Sequence, residues 1–197
     1  MPRTPQVKEF FETYIFGYMC ADIERELNLA RIGESAGNFL CALGLLSYTE
    51  FMGGLYLRGF RDREAGKRFR AFFDYLGPDY AQFQIECDVY DVFRCGLVHE
   101  YFVKHACTIF MLNGPDPLTI PGTPPGTPVA PSLLVLDETI EQPVKAGIGR
   151  TSDERYFFIV EKYYQDFRSA CERLYKEIEA DPDRRFALDP SWWFIES

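Results

Sequence analysis

Several features that would assign this chain to a common functional class are missing. Its six cysteines, Cys20, Cys41, Cys87, Cys95, Cys107 and Cys171, include no C-x-x-C pair and lie mostly in apolar stretches. Zinc-knuckle and redox-motif readings therefore fail, and reduced core thiols are expected. There is no P-loop, no G-x-S-x-G and no dinucleotide fingerprint. GTPPGTP lacks the lysine and following helix that a phosphate loop needs. The two histidines and nearby acids show no metal-ligand spacing, so no cofactor and no metal are expected. Basic charge is in deficit: 21 Lys and Arg face 30 Asp and Glu, for a net charge of -9. Such a chain repels phosphate backbones at long range, which argues against DNA as a partner and confines any RNA contact to a local site. The opening MPRTPQVKEFFETY lacks the pattern of a secretory signal, and a cytoplasmic location is expected.

Aromatic residues, by contrast, are abundant. Eighteen Phe and 12 Tyr within 197 residues supply a core large enough to fold without metal or disulfide staples. One domain, 1–197, is expected. Apolar residues such as Phe10, Tyr14, Ile23 and Leu27 recur at helical spacing across 6–31. After a break at IGES, with Ser35 as cap, a second helix is expected over 36–57. The run 39–57 carries one charge, Glu50, and approaches the length that spans a bilayer. Ser47, Thr49, Glu50 and the pair Gly53-Gly54 interrupt it, so a buried central helix is expected and no membrane partner. A third helix runs to Tyr75 and stops at Gly77-Pro78, and a fourth is expected over 81–102.

Beyond residue 103 the periodicity changes. Thr108 to Leu112, Leu133 to Leu136 and Arg155 to Val160 are short apolar runs that read as strands of a small antiparallel sheet within 104–161. The Pro- and Gly-dense stretch 113–131 reads as a long exposed loop, and 162–180 returns to helix. The fold class is thus mostly α, α+β overall: a helical bundle over 6–103, a small sheet and a C-terminal helix.

The fourth helix carries FRCGLVHEYF, in which Arg94 is followed five residues later by His99. Over the bundle, this resembles the HEPN superfamily, whose mark is an Arg followed after four to six residues by His. The resemblance implies an up-and-down bundle, a homodimer that brings two motifs together, and metal-independent RNA cleavage in a toxin-antitoxin or defence setting. An antitoxin-like protein partner would follow. A neutral-pH proton carrier at His99 and a phosphate-holding guanidinium at Arg94 fit that chemistry. Glu50, Asp91 and Glu100 are the supporting acids. The family pattern commonly has a polar residue after the motif Arg, where this chain has Cys95.

The residues alone leave a second reading open. Five positions along an ideal α-helix turn the direction by about 140°, so Arg94 and His99 do not share a face of a straight helix. Arg94 equally suits a salt bridge with Asp91 or Glu50, and His99 a hydrogen-bonded core or interface position. In that case the chain is a non-catalytic homodimeric scaffold or sensor for a protein or small ligand. The basic run from Arg58 to Arg70 reads as a solvated helix face, and His105 as an exposed turn residue.

Overall fold

The computed structural model describes residues 7–32, 37–60, 63–100, 107–111, 146–150 and 156–181. Ser35, His105, the loop 113–131 and the strand expected at Leu133 to Leu136 lie outside them. The fold is mostly α, with six helices and a small sheet among the described residues.

Helix α1 (7–31) is continuous but not uniform. Its ends, Val7–Phe10 and Ala21–Arg31, are α-helical, and Phe11–Cys20 between them is π-wound. Gly17 marks the wide stretch, where a Cβ would stand 2.8 Å from the Glu12 carbonyl oxygen five residues back. Helix α2 (Asn38–Tyr56) is long and apolar enough to cross a membrane by length and composition, yet half of its apolar window is buried inside the fold. Its glycines serve packing. A Cβ on Gly53 would stand 1.8 Å from the Arg68 carbonyl oxygen, so only glycine lets helix α3 (Ala65–Leu76) approach this closely.

Helix α4 (Pro78–Glu86) opens on proline, whose missing N–H costs nothing at a helix start. The fourth helix expected over 81–102 is therefore two. Cys87 is extended (φ -142°, ψ 132°), and the chain restarts as the π-wound helix α5 (Tyr90–Glu100). Asp88 makes the break favourable by accepting a hydrogen bond from the Asp91 amide at 3.3 Å, a capping contact.

Strands β1 (Cys107–Phe110), β2 (Ile148–Arg150) and β3 (Tyr156–Ile159) form a sheet in the order β1-β3-β2. The expected all-antiparallel sheet is corrected to a mixed one. β2 pairs antiparallel with β3, whereas β1 runs parallel to it with Cys107 opposite Tyr156. A parallel pair needs a crossover longer than a hairpin, and the stretch between β1 and β3 is long enough to provide one. The Asn38 side chain donates to the Ile109 carbonyl at 3.0 Å, fastening β1 to the start of α2.

Helix α6 (Val160–Ala180) follows β3 directly and lies against α1, α2 and α3. The core between them is aromatic: Phe10, Phe11, Phe69, Phe72, Phe73, Phe158, Tyr163 and Phe167 are fully buried. Tyr163 meets Thr49 of α2 hydroxyl to hydroxyl at 2.9 Å, and Thr49 also donates to the Leu45 carbonyl. That satisfies a polar pair at the centre of the bundle.

Candidate functional site

Glu50 lies at the meeting point of three helices. A carboxylate on an apolar helix must find cations or lose its charge, and two guanidinium groups converge on it. Arg68 of α3 donates from Nη2 to Oε1 at 3.0 Å. From α5, Arg94 Nη2 approaches Oε2 at 2.8 Å. The side chains are only 14%, 14% and 19% exposed for Glu50, Arg68 and Arg94. Two cations against one anion leave the cluster with one surplus positive charge.

The two contacts differ in quality. Arg68 makes an aligned hydrogen bond to Oε1, whereas Arg94 is held by charge at short range, Glu50 Oε2 being buried without an aligned hydrogen bond. Arg94 is thus the more weakly oriented of the two. Its guanidinium also stands 5.8 Å from the Tyr90 ring, and Arg70 stands 5.6 Å from the same ring. Arg70 is held in turn by both carboxylate oxygens of Asp88, at 2.9 and 3.0 Å. Burial, and next the Glu50 charge, push the Tyr90 hydroxyl above its ordinary pKa.

The winding of α5 decides how Arg94 relates to His99. In a π-helix the backbone bond spans five residues and a turn takes about 4.4, so residues i and i+5 lie roughly 50° apart around the axis instead of about 140°. Tyr90 and Cys95, five apart, are close enough for Cys95 to be among the groups that push the Tyr90 hydroxyl up. Arg94 and His99 have the same spacing of five within α5, so the angular separation of an ideal α-helix does not apply to them. His99 is exposed. The winding therefore brings a partly buried Arg94 and an exposed His99 toward one side of α5.

Asp91 is exposed, and the carboxylate seen on Arg94 is Glu50. Glu100 ends α5, and its side chain lies outside the description. Among the described residues, no group of three or more His, Cys, Asp or Glu gathers to hold a metal ion.

Sequence reasoning missed Arg68. It belongs to the basic run read as a solvated face, and Lys67 and Arg70 of that run do face solvent, with side chains 65% and 43% exposed. Arg68 instead turns inward, and the signal for it was Glu50 itself, which needs a cation from whichever helix Gly53 admits. Comparison of the chain with protein-family models, with curated proteins and with solved structures finds no match.

Proposed function

We propose that the chain is an HEPN-like endoribonuclease of the cytoplasm, working as a homodimer and cleaving RNA without a metal. The observation that carries this reading is the π-winding of α5, which brings Arg94 and His99 toward one side of the helix. Each residue then has a distinct task. Exposed His99 exchanges the proton as the RNA 2'-hydroxyl attacks its own phosphate, and Arg94 holds the charge that develops on the phosphate oxygens. Glu50 keeps Arg94 oriented until a phosphate competes for it. That exchange leaves Glu50 still bonded to Arg68, so no buried carboxylate is stranded.

A second reading has its own support. Arg94 is largely buried and already neutralised by Glu50, as a structural arginine in a non-catalytic homodimeric scaffold would be. Incubation of the purified full chain with mixed RNA, with and without chelator, separates the two. The nuclease reading expects chelator-resistant cleavage that leaves 2',3'-cyclic phosphate ends and depends on His99. Intact RNA, or cleavage that His99→Ala leaves unchanged, would give the chain to the scaffold reading.

A further inference from the structure

The Arg94 cluster has a second guanidinium beside it. Arg70 of α3 and Arg94 of α5 stand 5.6 and 5.8 Å from one ring, that of Tyr90, within the roughly 6 Å at which an aromatic face attracts a cation. One aromatic residue thus gathers cations from two helices. Arg94 is the inner of the two, with a side chain 19% exposed, and Arg70 is the outer, at 43%.

Each guanidinium is held by a carboxylate that leaves part of it unengaged. Asp88 takes Arg70 through Nη2 alone, at 2.9 and 3.0 Å, so Nη1 and Nε remain as donors without a partner among the described residues. Arg94 meets Glu50 through Nη2, and its Nε has no hydrogen-bond acceptor among them. Open donors on two neighbouring guanidiniums call for acceptors that the described residues do not supply. Stability does not explain the outer pair, because an ion pair this exposed adds little to a fold. Asp88 instead holds the Arg70 fork in one geometry, which lowers the entropy lost when a ligand arrives.

We infer that Arg70 is a second phosphate contact, holding the backbone phosphate next to the one that Arg94 holds, so that the substrate is a single RNA strand engaged at more than one phosphate. This rests on the RNA-cleaving reading of the Arg94 site. Two guanidiniums suit the task, since their planar forks match phosphate oxygens. A single strand suits it better than a duplex, because a chain of net charge -9 repels two lines of phosphate more than one. A flexible strand can also turn one phosphate inward to the less exposed Arg94. Asp88 and exposed Asp91 hold the affinity down at this end of α5, which confines the contact to the two guanidiniums.

The test is fluorescence anisotropy of the full chain with a labelled RNA hexanucleotide carrying 2'-O-methyl groups on every ribose, which blocks cleavage. The matching dinucleotide, with a single phosphate, is titrated beside it. Arg70→Gln is expected to weaken the hexanucleotide roughly tenfold, to lower the slope of log affinity against log salt by about 0.7, and to leave the dinucleotide unchanged. Asp88→Asn keeps an acceptor for the Asp91 amide and releases Nη2 of Arg70, so it should tighten the hexanucleotide, and do so less when combined with Arg70→Gln. Arg25→Gln, which removes an exposed cation on α1, leaves both probes unchanged. If the Arg70–Asp88 pair served structure alone, Asp88→Asn would weaken binding as Arg70→Gln does, and that result overturns the assignment. So would no hexanucleotide binding, equal binding by Arg70→Gln, or an equal loss on both probes. Circular dichroism confirms folding; if Arg70→Gln does not fold, the sign of the Asp88→Asn effect decides. Arg70-dependent binding without cleavage of unmodified RNA would overturn the nuclease reading alone and leave the second phosphate contact standing.

Discussion

Among the described residues two segments are π-wound, and their sequences match closely. Phe11–Cys20 and Tyr90–Glu100 each begin with an aromatic residue followed by an acid, and each has glycine at the seventh position, Gly17 and Gly96. In both, residues five apart become neighbours: Phe11 and Phe16 in the first, with ring centroids 6.2 Å apart, and Tyr90 and Cys95 in the second. Aligned on the glycines, fully buried Ile15 corresponds to Arg94, and buried Cys20 to exposed His99. Wide winding is therefore not a functional mark in itself. It brings side chains five apart toward one side of a helix, and the first segment uses it for packing whereas the second has two ionisable groups, Arg94 and His99, at that spacing.

The sharpest way to break this comparison is to remove His99, the exposed ionisable group that stands where the first segment has a buried Cys20. His99→Ala is expected to lower RNA cleavage about a hundredfold to ten-thousandfold, the usual loss for a proton-transferring residue, while its melting temperature stays near the parent's. A gel assay of cleavage beside a thermal melt measures both. In the first segment the effect should fall on stability alone. Phe11 is buried against Phe10, Phe16 and Tyr175. Phe11→Ala should therefore cost about 3 to 5 kcal/mol in urea unfolding with no specific change in the cleavage rate of the folded fraction.

Glu50→Gln probes the link between the second segment and the core. It leaves Arg68 and Arg94 facing a neutral amide, and the expected cost is about 3 kcal/mol, at the low end for breaking a buried pair because the side chains keep some water contact. A urea midpoint unchanged from the parent's would show that the triad contributes nothing to holding α2, α3 and α5 together.

Much of this fold can be read from residue spacing. Helical periodicity placed α1, α2, α3 and α6, and an ionisable group stranded at Glu50 announced a basic partner from the bundle. Two things could not be read this way. The parallel pairing of β1 with β3 depends on where the chain travels between residues 112 and 145, and four-residue apolar strands carry no directional signal of their own. The winding of α5 was hidden because its apolar pattern suits an α-helix equally well. The traces that existed were local: the Asp88 cap that starts α5, and the glycine that recurs at the same place in both wide segments. The inward turn of Arg68 was hidden among surface arginines, since charge alone does not tell which face of α3 meets α2.

The mildest effect expected concerns protons and again bears on the first segment. Its terminal residue, Cys20, is wholly buried, and burial pushes its thiol up to about 11; burial, with Glu26 and Glu161 adding to it, pushes Cys41 of α2 up to about 12. Both thiols therefore hold their protons more tightly in the folded chain than in the unfolded one, where a thiol titrates at about 8.5. Their contribution is fully present below that value and is lost as pH rises toward the folded values, because the unfolded chain releases protons first. Under reducing conditions, urea unfolding at pH 8 and pH 10 should differ by about 1 to 2 kcal/mol for each thiol, before tyrosine titration dominates. The double variant Cys20→Ala with Cys41→Ala should lessen the dependence over that window, leaving the share of Cys87 and Cys171, whose thiols burial also pushes up. An equal slope in the variant would place the alkaline sensitivity elsewhere in the core.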